Sequence, residues 1–373
     1  MKDVMGVIYT GENDHSLREL TSLRAIAAMP IAGSFRVIDF WVSSMVNSGI
    51  RNVGVIMQKN YHSLMDHLGN GKVWDLHGQN DSMYILPPFL TRENVGVYQG
   101  NLDAYHSNLG YLRRSKQKYI LLTNSNLIFN TDFTDFYTHF KNSDAPIMCM
   151  YSKDESLIRT EFGMYIDVDE NNYVKDIEID PTKAKYKNSS LDVYLMKKDF
   201  LLEILDRGVA QGFHDLSRDI LRTMVRENEN QIEAYEYTGK IFRLDSVKSY
   251  FDCNLAMLDR KTRQQIFTQE LPIFTKLRNE LPARYLENAK TTDSIVADGC
   301  IIDGKVEHSV LFRGVKIGKN AIVKNCIIMQ DSEIGEGAYL ENCILDKQAI
   351  ISKNGNLIGP STYPIVIAKN MVI

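Results

Sequence analysis

A 17-residue repeat near the carboxyl end constrains the fold of this chain more than any other feature. Three six-residue segments recur at that spacing, Val306–Leu311, Val323–Ile328 and Leu340–Leu345, and Ile317–Ala321 and Ile334–Ala338 share the offset. Apolar residues about every six positions, with glycine or small residues between them, are typical of a hexapeptide β-helix. Each coil of such a helix buries its apolar residues only by stacking on its neighbours. The repeat therefore predicts a β-helix, with Cys326 and Cys343 at equivalent inward positions.

The preceding part of the chain alternates short apolar runs with helical patterns. The runs have the length and β-rich composition of buried parallel strands: Val4–Tyr9, Val53–Met57, Tyr119–Thr123 and Pro146–Tyr151. Helical spacing lies between them at Arg36–Asn47, Tyr61–Leu68 and Leu102–Arg113. This alternation predicts an α/β domain with a doubly wound, mostly parallel sheet. Because ligands of such sheets bind beyond the carboxyl ends of the strands, Thr10–Leu20 is the candidate nucleotide loop.

We place the α/β domain at residues 1–265, a linker containing Pro272 and Pro282 at residues 266–290, and the β-helix at residues 291–373. A net charge of −4 gives no basic footprint for nucleic acid. No apolar run approaches the roughly 20 residues that cross a membrane. The amino terminus lacks signal-peptide features, and the five cysteines form no CxxC pair, so we expect a cytoplasmic protein with reduced thiols.

The eight histidines form no HxxxH or HExxH pattern, so we predict no metal site. His308 lies in the β-helix repeat, and hexapeptide acyltransferases use a coil histidine as a base. That alternative rests on one histidine, because no acyl-CoA segment accompanies it.

Several segments, in this order along nearly the whole chain, resemble the glucose-1-phosphate adenylyltransferase (ADP-glucose pyrophosphorylase) family. The segments are Pro30–Phe40, Asn47–Val55, Val73–Leu76, Ile85–Pro88, Phe162–Gly163 and Asp298–Leu311. The resemblance implies a Rossmann-type nucleotidyltransferase domain, a left-handed parallel β-helix and a tetramer. The family joins glucose 1-phosphate to ATP and releases pyrophosphate, a reaction that depends on positioning, on Mg²⁺ and on cations that offset the growing charge.

The first loop departs from the family pattern GGxGxRL. Only Gly11 survives of its glycines, and Ser16 stands at the position of the phosphate-binding arginine. Glu12 and Asp14 add carboxylates that either repel a triphosphate or form a solvated acidic turn. The lysine of the following KPAxPF motif is replaced by Ile26, which can neither donate a hydrogen bond nor offset charge.

The metal and sugar-phosphate motifs also differ from the family. Asn126 takes the place of the metal aspartate of LSGDH, and Arg243 that of the second metal aspartate, in WRDVGT. Asp180 replaces the sugar-phosphate lysine of EKP, and Asp192 replaces the glycine of SMGIY. The resemblance therefore implies a chain that needs no cofactor, with Mg²⁺ expected only in a catalytic partner.

Some residues retain the outline of a ligand site. Gly11, Gln58, Tyr98 and Gly100 match nucleotide-binding positions, and Gly163 and Ser190 match the sugar-phosphate pocket. They form either residual pockets or purely structural features, in which Gly100 serves a turn and Gln58 caps a strand. Arg51 and Lys59 are either effector-binding or simply solvated.

These departures resemble the GlgD-type subunits of the family and predict a regulatory subunit without catalytic residues of its own. We expect it to assemble with a catalytic ADP-glucose pyrophosphorylase subunit, as a hetero-oligomer, and to respond to a small phosphorylated effector. One alternative is an active adenylyltransferase that uses the displaced residues Arg18, Arg24 and Asp245. Another is a homo-oligomeric sensor of sugar phosphates or nucleotides. We expect neither nucleic acid nor a membrane as partner.

Overall fold

The structure, a computed structural model, describes residues 1–11, 14–78, 82–88, 98–158, 163–227 and 231–373. The described residues form two compact units. The first unit comprises Met1–Glu12, Phe40–Ile241 and Glu270–Phe274. The second unit comprises Asn13–Asp39, Phe242–Gln269 and Thr275–Ile373, so the segment after the first strand folds with the carboxyl-terminal repeat.

The strands up to residue 243 are β1 (Val4–Tyr9), β2 (Pro30–Ile31), β3 (Phe35–Arg36), β4 (Asn52–Ile56), β5 (Ser82–Leu86), β6 (Tyr119–Thr123), β7 (Leu127–Ile128), β8 (Ile147–Ser152), β9 (Met164–Val168), β10 (Val174–Ile179), β11 (Asn188–Lys197), β12 (Ile232–Glu236) and β13 (Phe242–Arg243). The α-helices are α1 (Val37–Asn47), α2 (His62–Leu68), α3 (Asn101–Ser107), α4 (Leu109–Arg114), α5 (Thr134–Asn142), α6 (Lys198–Ala210), α7 (Arg222–Glu227), α8 (Val247–Ala256) and α9 (Arg260–Ile266). Among the described residues, none of these helices is long and apolar enough to cross a bilayer.

The first unit is built on a mixed sheet with the strand order β10-β9-β11-β6-β1-β4-β5, and β8 joins β12 to β11. Strands β6, β1, β4 and β5 are parallel, and β11 runs antiparallel to β6. All six residues of β1 are buried, as expected for a central strand that is covered on both faces. The predicted α/β sheet is confirmed.

One predicted helix differs from the structure. The segment Leu102–Arg113 forms two helices, α3 and α4, which are separated at Asn108. The Asn108 side chain donates a 2.8 Å hydrogen bond to the carbonyl oxygen of Ala104, and its backbone leaves the helical region at φ −106° and ψ 19°. Asparagine side chains compete in this way with the backbone hydrogen bonds of a helix.

The second unit contains the β-helix, whose strands are β14 (Arg284–Tyr285), β15 (Lys290–Thr292), β16 (Ile295–Val296), β17 (Ile301–Ile302), β18 (Lys305–Glu307), β19 (Val310–Leu311), β20 (Lys316–Ile317), β21 (Ile322–Lys324), β22 (Ile327–Ile328), β23 (Glu333–Ile334), β24 (Tyr339–Glu341), β25 (Cys343–Leu345), β26 (Ile350–Ile351), β27 (Asn356–Ile358) and β28 (Ile365–Ile367). They form three parallel five-stranded sheets. The 17-residue repeat sets the register, because Val306 pairs with Val323 and Val323 with Leu340. The predicted β-helix is confirmed. Since β14 pairs with β17, the β-helix begins within residues 266–290, the predicted linker.

The coil corners carry a ladder of asparagines. Asn325 and Asn342 both have positive φ, 50° and 53°, a conformation that asparagine tolerates better than most residues. The Asn325 carboxamide donates to that of Asn342, which donates a 2.8 Å hydrogen bond to the carbonyl oxygen of Gly359. Inside the coils, Cys326 and Cys343 are fully buried, and burial raises the pKa of the Cys326 thiol well above its usual value. Both cysteines belong to the β-helix core.

Removing the ladder residue Asn342 should separate the contribution of its side chain from that of its backbone. Asn342→Gly keeps the positive φ accessible and loses two hydrogen bonds, so we expect a loss of about 1–3 kcal/mol in unfolding free energy. Asn342→Ala adds left-handed backbone strain, for about 1–2 kcal/mol more. Urea denaturation measures both, with the exposed Asn356→Ala as control. Equal losses of unfolding free energy for Asn342→Gly and Asn342→Ala would show that the left-handed backbone at this corner does not affect stability.

Candidate functional site

The carboxyl ends of β1 and β4 bring three of the predicted nucleotide-binding residues together in the first unit. The Tyr9 hydroxyl lies 3.1 Å from the carbonyl oxygen of Gly11 and 3.3 Å from Oε1 of Gln58. Gln58 Nε2 donates a 2.7 Å hydrogen bond to the carbonyl oxygen of Tyr98. Gly11, Gln58 and Tyr98 are therefore joined in one cluster through the side chains of Tyr9 and Gln58.

The cluster occupies the space that a phosphate-binding glycine would leave open. A Cβ atom added at Gly11 would overlap Oε1 of Gln58 and the hydroxyl of Tyr9. Contacts within the protein therefore explain why this position is a glycine. Tyr9 and Gln58 pack against this glycine on the side where a Cβ atom would lie.

Gly100, the fourth predicted residue, has a packing role and not the turn role considered from the sequence. Its φ of −163° is extended, but a Cβ atom would overlap the carbonyl oxygen of His214. Leu102 donates a 2.9 Å backbone hydrogen bond to that same oxygen. His214 Nδ1 also lies 2.9 Å from the Asp103 carboxylate. This glycine therefore allows α3 to approach the segment around His214.

Asn126, at the position of the first metal aspartate, follows β6 in the first unit. Its side-chain oxygen is buried and has no hydrogen-bond partner among the described residues, and the same holds for the hydroxyl of Thr123. An unsatisfied buried acceptor costs about 1–3 kcal/mol. A hydrogen-bond donor or a cation beside this oxygen would relieve that cost.

The residues at the metal positions do not fit Mg²⁺. Asn126 offers a neutral amide oxygen where a hard cation prefers a carboxylate. Arg243, in the second unit, is buried, and its guanidinium has donors only and a permanent positive charge. Within the described ranges of the chain, no group of three His, Cys, Asp or Glu residues could hold a metal ion. The residues at these two positions therefore offer magnesium no carboxylate.

Asp180, at the position of the sugar-phosphate lysine, is engaged in the first unit by two neighbours. Its Oδ1 accepts a 3.0 Å hydrogen bond from the backbone of Gly163, and its own N–H donates a 2.9 Å bond to the Gly163 carbonyl oxygen. Its Oδ2 lies 2.6 Å from Nη2 of Arg218. Gly163 and Asp180, with φ of 117° and 49°, bond to each other, and this places a carboxylate at the position where the sequence predicts the family's ammonium group.

The second sugar-phosphate motif forms a bulge in β11. The register of β11 shifts between Ser190 and Val193, and Asp192 has a φ of 53°. The position thus keeps the left-handed backbone that favours glycine, while an aspartate, which tolerates it, adds a carboxylate. The Asp192 N–H donates to Oγ of Ser190 at 3.2 Å, and the Tyr194 hydroxyl lies 3.2 Å from Oδ1 of Asp192. Burial and that negative charge raise the pKa of Tyr194 well above its usual value.

A further carboxylate, not singled out from the sequence, lies beside Arg218. Asp215 Oδ1 accepts a 2.8 Å hydrogen bond from the backbone of Arg218 at the start of a π-helical segment, Leu216–Leu221. Burial raises the pKa of Asp215, and the Arg218 charge opposes that rise. Asp180 and Asp215 therefore both interact with Arg218, Asp180 with its guanidinium and Asp215 with its backbone N–H and its charge.

The remaining family positions belong to the second unit. Ile26 is buried in a short 3₁₀ turn, Ile26–Ala28, with every residue of the turn in the core. Ser16 lies half-buried in the 3₁₀ segment His15–Leu20. Asp14 is buried, so the expectation of a solvated turn is wrong for this residue. Glu12 and Phe162 lie outside the described residues.

Arg24, which an enzyme with a rearranged site would use, is already paired. Its Nη2 lies 2.8 Å from both carboxylate oxygens of Asp346, and both side chains are about 97% buried, at 3% and 2% exposure. The Arg18 guanidinium lies over the ring of Tyr363 at 5.4 Å. His308, the candidate acyltransferase base, has its Nδ1 2.5 Å from the exposed Asp293 carboxylate.

Lys347 was not identified from the sequence, yet it is the most strongly perturbed lysine of the second unit. Burial and the positive charges of Arg36 and Arg24 lower its pKa to about 7, and the charge of Asp346 opposes that shift. An anion beside these three cations would stabilise the protonated amine. The sequence around Lys347 does not indicate the lowered pKa. A lysine at a coil corner is ordinary, and Arg24 and Arg36 come from a distant segment of the chain.

Comparison with known proteins shows which family this chain belongs to. Residues 5–258 match the family model described as nucleotidyl transferase, and residues 282–362 match GlmU-like, C-terminal hexapeptide. The chain belongs to the nucleotidyl transferase family. The GlgD glycogen biosynthesis protein of Bacillus subtilis is 32% identical over 370 residues, which cover 99% of this chain and 96% of that protein.

Two further relatives support the same assignment. The glucose-1-phosphate adenylyltransferase of Thermotoga neapolitana is 32% identical over 328 residues, 87% of this chain and 77% of the relative. The GlgD protein of Geobacillus stearothermophilus is 34% identical over 327 residues, 86% of this chain and 82% of the relative. The resemblance to the glucose-1-phosphate adenylyltransferase family, and to its GlgD-type members, is confirmed.

Replacing Lys347 with Met should change how the stability of this nucleotidyl transferase family member depends on pH. The folded pKa of about 7 lies below the ordinary value of 10.5, so between these pH values the unfolded chain binds a proton that the folded chain lacks. The unfolding free energy contributed by Lys347 therefore rises with pH across this window, and Lys347→Met should lack that rise. Urea denaturation at pH 7 and pH 9 measures the difference, with the exposed Lys319→Met as control. If the unfolding free energies of wild type and Lys347→Met changed in parallel with pH, the lowered pKa of Lys347 would be contradicted.

Proposed function

We propose that this chain is a regulatory subunit of an ADP-glucose-forming pyrophosphorylase in glycogen biosynthesis and is catalytically inactive on its own. It would assemble with a catalytic homologue, in a tetramer, and alter that partner's activity. The observation that carries the proposal is the carboxylate of Asp180, held by Gly163 and Arg218 at the family's sugar-phosphate lysine position. The names of the GlgD relatives support the pathway.

The charge at this position opposes the binding of a sugar phosphate. A carboxylate about 5 Å from a phosphate, at an effective dielectric of about 20, costs roughly 3 kcal/mol per unit charge, whereas an ammonium group would contribute a similar stabilisation. Solvent screens part of this, because the Asp180 side chain is 39% exposed. The sign of the effect is nevertheless reversed relative to an enzyme that binds glucose 1-phosphate.

The metal positions support inactivity independently of Asp180. Phosphoryl and nucleotidyl transfer rely on a divalent cation that bridges phosphate oxygens and neutralises developing charge. Asn126 and Arg243 offer an amide and a guanidinium at these positions. A chain that repels or fails to hold the metal lacks the main electrostatic contribution to this chemistry.

The retained features have structural roles, as a subunit requires. Gly100 allows close packing at His214, and the backbone of Ala32 donates a 3.1 Å hydrogen bond to the buried side chain of Asn254. The cluster of Arg36 and Lys347, beside Arg24 that is already paired with Asp346, is the feature that best fits a small phosphorylated effector. A free-standing homo-oligomer that senses sugar phosphates is the second candidate, and the same cluster supports its ligand.

Activity assays on the purified chain, alone and mixed with a catalytic glucose-1-phosphate adenylyltransferase, test the proposal. We expect no pyrophosphate release above background from the chain alone, set against the ~10 s⁻¹ of an ordinary enzyme. On mixing, the two chains should elute together as a tetramer, and the partner's kcat/KM should change at least about threefold. Turnover by the chain alone would instead establish an active enzyme. If the partner's kcat/KM did not change and the two chains did not elute together, the result would favour the homo-oligomeric sensor.

Neutralising Asp180 should strengthen sugar-phosphate binding. Asp180→Asn can keep the hydrogen bond to Gly163 and tolerates the positive φ, but it removes the charge and releases Arg218 from its ion pair. We expect glucose 1-phosphate to bind about 10-fold more tightly, a gain of about 1.4 kcal/mol, by isothermal titration calorimetry. Asp167→Asn, an exposed carboxylate on β9, is the matched control. Equal affinity in wild type and Asp180→Asn would show that this carboxylate does not face the phosphate.

A further inference from the structure

The second unit contains a cavity of about 620 Å³ that the proposed function does not use. Its walls come from three separate segments: the turn between β2 and β3, helix α9, and strand β16. The volume lies within the range of about 300–1,000 Å³ that is usual for small-molecule sites. None of the charged residues on which the proposed function rests lines it.

One side of the cavity is apolar and contains an aromatic pair. The rings of Phe35 and Phe267 lie 4.8 Å apart, tilted by 39°. Ile295 and Ala32 complete this side, and all four residues are only half-buried. Half-buried aromatic rings at a concave surface provide an apolar contact for a flat ligand.

The apolar walls are held by contacts of the fold. The Ala32 N–H donates a 3.1 Å hydrogen bond to Oδ1 of Asn254, and the Tyr250 hydroxyl donates a 2.7 Å bond to the carbonyl oxygen of Pro30. Gly33, with a φ of 83°, brings the turn so close to β16 that a Cβ atom would lie 3.1 Å from Cγ2 of Ile295. The cavity is therefore largely preformed, which lowers the cost of ordering on binding.

The other side of the cavity is polar and carries positive charge only. Arg263 is oriented by 2.7 Å and 2.6 Å hydrogen bonds from its Nη1 to the carbonyl oxygens of Met257 and Leu258. Arg260 is exposed and, within the part of the chain that the structure describes, makes no hydrogen bond or ion pair. Gln264 adds an amide, and the described lining includes no carboxylate. Guanidinium groups recognise planar anionic groups such as carboxylates and phosphates.

We propose that this cavity binds a small organic anion with a flat apolar body and one carboxylate, sulfonate or phosphate group. The apolar body would lie against Phe35, Phe267 and Ile295, and the anionic group would face Arg260. The proposal does not depend on the proposed function, because Arg260, Phe35, Phe267 and Ile295 belong neither to the predicted substrate and metal positions nor to the group of Arg24, Arg36 and Lys347.

Fluorescence titration with 1-anilinonaphthalene-8-sulfonate, an aromatic anion that emits when it leaves water, tests the site on the full chain. We expect saturable binding of one molecule per chain. Arg260→Ala should weaken it at least about fivefold, and Gln264→Glu, which is nearly isosteric and adds a carboxylate, should weaken it as well. Lys261→Ala, the adjacent exposed residue that does not line the cavity, is the matched control and should leave the affinity unchanged.

A neutral probe of similar shape, N-phenyl-1-naphthylamine, separates charge from apolar contact. It should bind wild type, Arg260→Ala and Gln264→Glu equally. The proposal would be overturned if the anionic probe bound Arg260→Ala and Gln264→Glu as tightly as wild type. It would also be overturned if Lys261→Ala weakened binding as much as Arg260→Ala, because the effect would then be general surface charge. Circular dichroism melts confirm that each variant is folded.

Discussion

The buried ion pair between Arg24 and Asp346 is the interaction on which the organisation of the second unit depends. It joins residues 322 positions apart, with both carboxylate oxygens 2.8 Å from one guanidinium nitrogen. Removing one partner of such a pair costs about 3–5 kcal/mol, because the other charge stays buried. The pair ties the segment after β1 to the β-helix, so the residues of that segment, including Ile26, are held as structural parts. It also places the Arg24 charge near Lys347, where it contributes to the lowered pKa of that amine.

The same internal engagement recurs at the family's ligand positions in the first unit. The Gly11 backbone is covered by Tyr9 and Gln58, and the Asp180 carboxylate is held by Gly163 and Arg218. In each case a polar group at a predicted ligand position already has a partner from the chain. Asn126 differs, since its buried side-chain oxygen has no such partner among the described residues. The scaffold of a nucleotidyl transferase is thus kept, while several of its polar groups bind one another and the predicted metal positions, Asn126 and Arg243, carry no negative charge.

Periodicity made much of the fold predictable from the sequence. Strands β1 and β6 have the predicted bounds, and the 17-residue repeat gives the register of Val306, Val323 and Leu340, because both patterns reflect local burial. The break at Asn108 depends on one side-chain hydrogen bond that no period reveals. The Arg24–Asp346 pair, the perturbed Lys347 and the cavity beside Phe35 each combine segments that are distant in the chain. Such features follow from tertiary packing, and the composition of either segment alone does not indicate them.

Glycine motifs and charge motifs therefore carry different information about this chain. Gly100 is required by the His214 carbonyl oxygen, and Asp192 adopts the left-handed conformation that the family's glycine would. Backbone geometry of this kind is needed by the fold whether or not a ligand is bound, so retained glycines do not distinguish an enzyme from a subunit without activity. A charge at Asp180 or Arg243 carries different information, because its sign decides whether a phosphate or a metal would be attracted there. For chains built on this scaffold, the signs of a few side chains are a better guide to catalysis than the glycine pattern that first indicates the fold.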